Sequence, residues 1–197
     1  MASTATVDAV SAADTQDMIL DAVQAVIVRD GVTGTSMRQV AQEADVSLGL
    51  LSYHFDDKDS LIVAAFQRST SEVRDASINA ASEIEDADDK VRAFIRGAFA
   101  PEFLNTDYLR LRVSLWAMAL TDPALAKIDS DYYQEYVGSL DELISAARPK
   151  LNDEQVAHRS ADVVAYTNGM WLDWARFGRD DELERGLRLA EAMALGD

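Results

Sequence analysis

The stretch that decides the fold is Thr35-Ser-Met-Arg-Gln-Val-Ala-Gln-Glu-Ala-Asp-Val-Ser-Leu-Gly-Leu-Leu-Ser-Tyr-His-Phe-Asp-Asp-Lys58. Ser36 is a residue type that caps helix N-termini, and Met37, Val40, Ala41 and Ala44 follow it at helical spacing. Asp45 breaks that helix, Val46 reads as a buried turn residue, and Ser47 caps a second, very short helix over Leu48 to Tyr53. Val40, Ala41, Val46 and Leu51 can share a small core, with Ala41 small enough for the two helices to cross closely. A helix this short is not stable alone in water, so the surrounding domain must hold it. Such a pair can present the N-terminal half and one flank of its second helix to a DNA major groove.

Outward from this motif the chain reads as helices. Asp14 to Arg29 places Met18, Ala22, Ala25 and Val26 at helical spacing, and Asp30-Gly31 ends that helix because glycine accepts a positive φ. After a turn at Asp56-Asp57, a long helix runs from Lys58 or Asp59 to about Glu83, with Leu61, Ile62, Ala65, Phe66 and Val73 on its apolar side. Val91, Phe94, Ile95 and Phe99 begin another, stopped near Pro101, and a further helix covers about Asp107 to Leu120. Pro123 lies in the first turn of a helix reaching Ala147, Asn152 or Asp153 caps one reaching Phe177, and Asp180 to Leu195 is the last. No strand pattern survives. The expected class is all-α: an N-terminal three-helix domain over 14–58 that carries the motif and a helical domain over 59–197, after a mobile tail over 1–13.

Composition agrees. Hydrophobic residues make up 48% of the 197, enough for a real core, and only 3 prolines and 9 glycines interrupt the helices. With no cysteine there is no disulfide framework and no thiolate metal site, which fits a reducing cytoplasm. No apolar run reaches the roughly 18 residues of a membrane span, and the N-terminus lacks the basic and apolar segments of a signal peptide. The net charge of −17 argues the other way from the motif, because phosphate binding ordinarily needs a basic face. The first sixty residues alone carry Arg29, Arg38 and Lys58 against ten carboxylates, a net of −7. The plain reading of the bulk charge is a densely solvated acidic surface, as in proteins of a salty cytoplasm.

Over Asp14 to Phe66, including the Tyr-His-Phe-Asp-Asp-Lys-Asp-Ser-Leu join to the long helix, the sequence resembles the TetR family of one-component transcriptional repressors. By position, the resemblance puts Ser36 and Arg38 where family members touch phosphate. Ser47 offers a hydroxyl and free amides to a phosphate. Leu48, Gly49, Leu50 and Ser52 fall where the family reads base edges. Tyr53 and His54 fall where it touches phosphates or adjacent bases, and Lys58 matches its phosphate-anchoring lysine. Gly49 would allow close approach, and Leu48 or Leu50 could meet a thymine methyl. With few charged donors, specificity must come from apolar contacts, hydroxyls and DNA shape.

The family resemblance further implies a homodimer, a palindromic operator read by two helices about 34 Å apart, and release by a small-molecule effector in the C-terminal domain. The two helices Pro123–Ala147 and Asp153–Phe177 are the expected dimer faces, with Val163, Tyr166, Thr167, Met170 and Trp174 as contacts and Gly169 allowing close approach. The pocket is expected among the aromatics Phe66, Phe94, Phe99, Phe103, Tyr108, Trp116, Tyr132, Tyr133 and Trp171. Leu115-Trp-Ala-Met-Ala-Leu-Thr-Asp-Pro123 and Asn168-Gly-Met-Trp-Leu172, with the motif itself, resemble the BetI-type branch, whose namesake responds to choline. An aromatic cage would suit choline or a related quaternary ammonium ion through cation–π attraction, although for any single aromatic ordinary core packing is the better explanation.

Other function classes find less support. His54 and His158 stand without a nucleophile or triad, there is no glycine-rich phosphate loop, and no Glu-x-x-His pair is present. Asp86 to Asp89 lacks the glycine and terminal glutamate of a calcium loop. The expectation is therefore no enzyme, no cofactor, no metal and no membrane partner. The remaining alternative is a helical protein-interaction module that has lost DNA binding, which the acidity of the first sixty residues keeps open.

Overall fold

The computed structural model describes residues 12–196, with only the backbone of Ala12. The mobile tail expected over 1–13 therefore falls almost wholly outside the described residues. Nine helices are found among those residues: α1 (Ala12–Gly34), α2 (Met37–Glu43), α3 (Leu48–His54), α4 (Lys58–Ser82), α5 (Ala87–Gly97), α6 (Thr106–Ala119), α7 (Pro123–Ala147), α8 (Asp153–Phe177) and α9 (Asp180–Leu195). No strand occurs among them, so the chain is all-α, and no helix is long and apolar enough to cross a membrane. The chain divides into two compact units, the first ending at Ala65 and the second running from Phe66.

In the first unit, α1 packs on α2 and α2 on α3. Gly31 interrupts the α1 span with φ 72 and ψ 166, a backbone position that only glycine takes readily. The core is built from Ile19, Val23 and Val26 of α1, Val40 and Ala41 of α2, Leu51 of α3, Phe55, and Leu61 and Ala65 at the start of α4. The buried face of α1 matches the expected one at Ala22 and Val26 only. Met18 is 44% exposed and Ala25 is exposed, while Ile19, Leu20, Val23 and Ile27 are buried. Short apolar windows fit two neighbouring helical registers, and only packing against α2 selects one.

In the second unit, helices α7, α8 and α9 pack on one another, with α5 against α7 and α9 and α6 against α7 and α8. Val91, Phe94, Ile95, Leu140, Ile144, Val156, Val163 and Ala190 are among its fully or nearly fully buried residues. Two arginines tie helix ends across this core. Arg148 donates from Nε to the Leu195 carbonyl at 2.8 Å and from Nη1 to Asp88 at 2.7 Å, joining the ends of α7 and α9 to the start of α5. Arg96 of α5 grips Glu184 through two bonds of 3.0 Å and Glu191 through one of 2.6 Å. Helix ends follow local chemistry: Asn152 and Gln155 form a reciprocal capping box at α8, and Pro123 opens α7 behind Asp122.

At Gly97 the backbones of α4 and α5 approach closely. A Cβ built there would lie 2.6 Å from Ser77 Cα and 2.9 Å from the Ala76 carbonyl oxygen. Backbone atoms cannot swing aside as a flexible side chain can, so α4 and α5 would have to separate. Gly97→Ala should therefore destabilise the protein by about 1–3 kcal/mol, despite alanine's better helix propensity. Thermal or urea denaturation followed by circular dichroism checks this; an unchanged or raised midpoint contradicts it.

Candidate nucleic-acid interface and effector cavity

The motif helices are fixed by caps and by one turn. Ser36 accepts from the Gln39 N–H at 3.3 Å and its hydroxyl donates to Gln39 Oε1 at 2.6 Å. Ser47 accepts from the Leu50 N–H at 3.1 Å. Between the helices, the Val46 N–H donates to the Ala41 carbonyl at 2.9 Å and the Asp45 N–H to that of Gln42 at 3.3 Å. This pair is the Schellman pattern, which requires a left-handed residue at Asp45, and Asp45 has φ 52. Asp57 closes the next junction. Its carboxylate accepts from the Ser60 N–H at 2.8 Å, and its own N–H donates to the Ser60 hydroxyl. Hydrogen bonds from the Ser60 backbone N–H and from its side chain hold the Asp57 carboxyl below the usual range.

Leu51 is the single buried residue of α3, and it is wholly buried. The rest of the helix faces outward. Leu48 is 45% exposed, Leu50 39% and Tyr53 81%; Ser47, Gly49 and Ser52 are exposed, and His54 is half-buried with its ring edge-on to Tyr53 at 5.3 Å. Ser36 and Lys58 are half-buried and Arg38 is exposed. These ten residues, expected to contact DNA, thus sit on α2, α3, their caps and the first residue of α4.

The three cations of this unit are not equivalent. Arg29 is engaged by Asp30 at 3.1 Å and Glu43 at 2.6 Å, and those carboxylates raise its already high pKa. Arg38 makes no ion pair among the described residues. Among the described residues Lys58 reaches only the Thr33 carbonyl, at 3.4 Å. Positive charge free to meet phosphate is therefore confined to the two cations that flank α3 in sequence.

The second unit holds a cavity of about 80 Å³. Three helix faces build it at the same spacing: Arg112 and Trp116 on α6; Asp129, Tyr132, Tyr133 and Tyr136 on α7; Val164, Thr167, Asn168 and Trp171 on α8. Val73 and Ala98 complete the lining. Of the aromatics expected at a pocket, Trp116, Tyr132, Tyr133 and Trp171 line this cavity. Phe94, Phe99, Phe103 and Tyr108 belong to the core around it, and Phe66 is fully buried. Phe99, Phe103 and Tyr108 pack on the Trp171 ring, with centroids 5.7, 6.5 and 5.7 Å away. Tyr108 also donates to the Ser69 carbonyl at 2.9 Å, and burial lifts its hydroxyl to about 12. Arg112, Asp129, Tyr136, Thr167 and Asn168 were not among the expected pocket residues. The signal that would have found them is the i, i+3, i+4, i+7 recurrence in Asp129-x-x-Tyr-Tyr-x-x-Tyr136 and again in Val164-x-x-Thr-Asn-x-x-Trp171.

The left-handed Asp45 yields a prediction. An L-residue meets a steric penalty at this φ that glycine avoids, so Asp45→Gly should stabilise the protein by about 0.5–1 kcal/mol. A raised thermal midpoint with an unchanged helical spectrum is expected; a lowered midpoint would overturn the turn assignment.

Residues 19–65 match the family model described as bacterial regulatory proteins, tetR family, and residues 87–195 match that of the C-terminal part of BetI-type transcriptional repressors. The chain is 26% identical over 163 residues to the HTH-type transcriptional regulator BetI of Escherichia coli K12, covering 82% of each. Among solved structures, a transcriptional regulator from Pseudomonas aeruginosa PAO1 superposes with a TM-score of 0.82 at 24% identity, over 92% of this chain and 88% of that one. A regulator from Saccharomonospora viridis, solved in complex with choline, gives 0.75 at 14% identity over 94% and 97%. These likenesses in structure speak for the fold. The two family matches lie on the motif and on the helices that build the cavity, and the chain belongs to the TetR family of transcriptional regulators, with a BetI-type C-terminal part.

Proposed function

We propose that this protein is a dimeric repressor that binds a palindromic operator through α3 and is released by a small molecule entering the cavity between α6, α7 and α8. The observation that carries this reading is α3 itself: a seven-residue helix held by one buried leucine, with every other position turned at least partly to solvent. An exposed Leu48, Leu50 and Tyr53 is a liability on a protein with no use for them, and suits contact with thymine methyls and the sugar-phosphate edge. Ser36, Arg38, Ser47, His54 and Lys58 are the polar contacts, with Gly49 and Ser52 at the base edges. Helix α4 starts with Lys58 beside the reader and carries Val73 of the cavity, so one helix takes part in both sites. An effector that prefers the non-binding state 100-fold supplies about 2.7 kcal/mol of coupling. The likeness to BetI-type relatives, and the choline held by one structural neighbour, make choline or a related quaternary ammonium compound the effector class to test first.

A gel shift with the DNA upstream of the protein's own gene tests the reading. Binding should weaken steeply with salt. Lys58→Ala should weaken it further and lower the slope of log K against log salt by about 2, because each subunit then neutralises one phosphate fewer and each phosphate accounts for roughly 0.9. No binding at low salt would favour the interaction-module alternative, in which the acidic first unit has no nucleic-acid partner.

The sequence reading puts the dimer on α7 and α8; we propose that it forms instead on the outer face of α8 and α9, a reading supported by the open groove that Tyr166, Gly169, Leu172 and Trp174 line there with Leu183. Of the other residues expected at the interface, Val163 is buried in the core of its own subunit, Thr167 lines the cavity between α6, α7 and α8, and Met170 is nearly buried but borders the groove. A side chain at Gly169 would meet nothing within 4 Å, so Gly169→Arg leaves the subunit intact while placing charge in the groove. Light scattering coupled to size exclusion should report a dimer for the natural protein and a monomer for this variant, with equal helicity; a dimer in both places the interface elsewhere.

A further inference from the structure

The cavity already contains a cation. Arg112 is 6% exposed, and it makes no ion pair among the described residues. Its Cζ lies 5.1 Å from the centroid of Trp116 and 5.2 Å from that of Tyr132. Its Nη1 is buried without a hydrogen-bond partner. Asp129 lines the same cavity but lies beyond ion-pair distance, and burial holds its carboxyl above the usual range against the opposing pull of the Arg112 charge. Two of the aromatic faces that a quaternary ammonium ion would use are thus taken by the guanidinium, whose like charge repels a second cation. A buried guanidinium with an unused N–H and no contacting carboxylate is matched best by an oxyanion, since its planar fork accommodates a carboxylate through parallel hydrogen bonds.

We propose that the effector of this cavity carries a carboxylate received by Arg112, and that its body is a small apolar or quaternary ammonium group packed on Tyr133, Tyr136 and Trp171. The proposal rests on the reading of the cavity as the effector site and narrows it. Quaternary ammonium compounds qualify only when they also bear an acid group, and choline alone does not. Asp129 then has a secondary part: it attracts the positive end of a zwitterion and is idle toward a plain acid.

Three molecules of nearly the same shape separate these cases: choline, glycine betaine and tert-butylacetate. The first is a cation, the second a zwitterion and the third an anion. Calorimetric titration of the full-length protein, alongside quenching of tryptophan fluorescence (Trp116 and Trp171 line the cavity), should give binding for both carboxylates and affinity at least about tenfold lower for choline. Betaine tighter than tert-butylacetate supports the zwitterion form, and equal binding the plain acid. Choline binding as tightly as either acid overturns the proposal, as does no response to either acid at about 10 mM, far above a millimolar Kd. Arg112→Gln should remove the preference for acids and Arg112→Lys retain part of it. If Arg112→Gln loses its helical spectrum, the ranking of the three ligands on the natural protein still decides. The gel shift run in parallel keeps the two readings apart, because operator binding without acid binding sinks this proposal and leaves the repressor standing.

Discussion

The insertion of Leu51 into the core of the first unit is the contact on which the reading helix depends. Seven residues form fewer than two full turns, and a nucleus that short is unfavourable in isolation. Its persistence must come from outside the helix, and outside it offers one buried side chain, one capping hydroxyl and the Schellman turn at its entry. Leu51 is fully buried among residues that include Val23 and Val26 of α1, Val40 of α2 and Leu61 of α4, so three helices have to be in place before the fourth exists. Burying one leucine contributes about 1.5–3 kcal/mol, which is enough to order a helix whose ends are already capped and too little to order one whose ends are not. Because a single residue bears the packing, the remaining positions are released from structural duty and can be chosen for what they touch.

Charge sets the second constraint. A first unit of net −7 repels a polyanion at long range, and only Arg38 and Lys58 offset this where α2 and α4 begin. Arg29 is held by Asp30 and Glu43 within the unit. On the proposed reading, association with DNA is therefore unaided by steering and would rely on close-range complementarity: hydroxyls, apolar contacts to base methyls and DNA shape. In strong salt the repulsion is screened, with a Debye length near 3 Å at about 1 M, so an acidic reader loses less by being acidic there than in dilute buffer.

How much of this was legible in the sequence follows from how local each signal is. The bounds of α7 and the end of α8 could be read to the residue, and the start of α8 to within one, because Pro123, Asn152 and Gly178 carry their start and stop chemistry on themselves. The turn at Asp45 and Val46 was equally local. The buried register of α1 was not, since Met18 and Ala25 satisfy helical spacing as well as Ile19 and Val23 do, and the choice is made by α2 across the core. The cavity was half legible. Aromatic residues mark a pocket and a core alike, and Phe94, Phe99, Phe103 and Tyr108 prove to be packing around Trp171 or near it. What divides the two groups is which face of α6, α7 and α8 each residue occupies, and that needs the relative rotation of three helices.

Arg112 is the residue that composition hid most effectively. A charged side chain in the middle of Leu109-Arg-Leu-Arg-Val-Ser-Leu115 reads as the polar face of an amphipathic helix, yet Leu109, Leu111, Arg112 and Leu115 are all buried. An arginine is seldom carried inside a protein unless something there offsets its desolvation. Two aromatic faces offset part of it, and no carboxylate completes the match. Methionine or leucine at that position would fill similar space without the charge and without the unused N–H. The retained guanidinium therefore makes sense as a recognition group, held in place by Trp116 and Tyr132 before any ligand arrives. Preorganisation of that kind lowers the cost of ordering on binding and gives a small cavity selectivity by charge that its size alone could not supply.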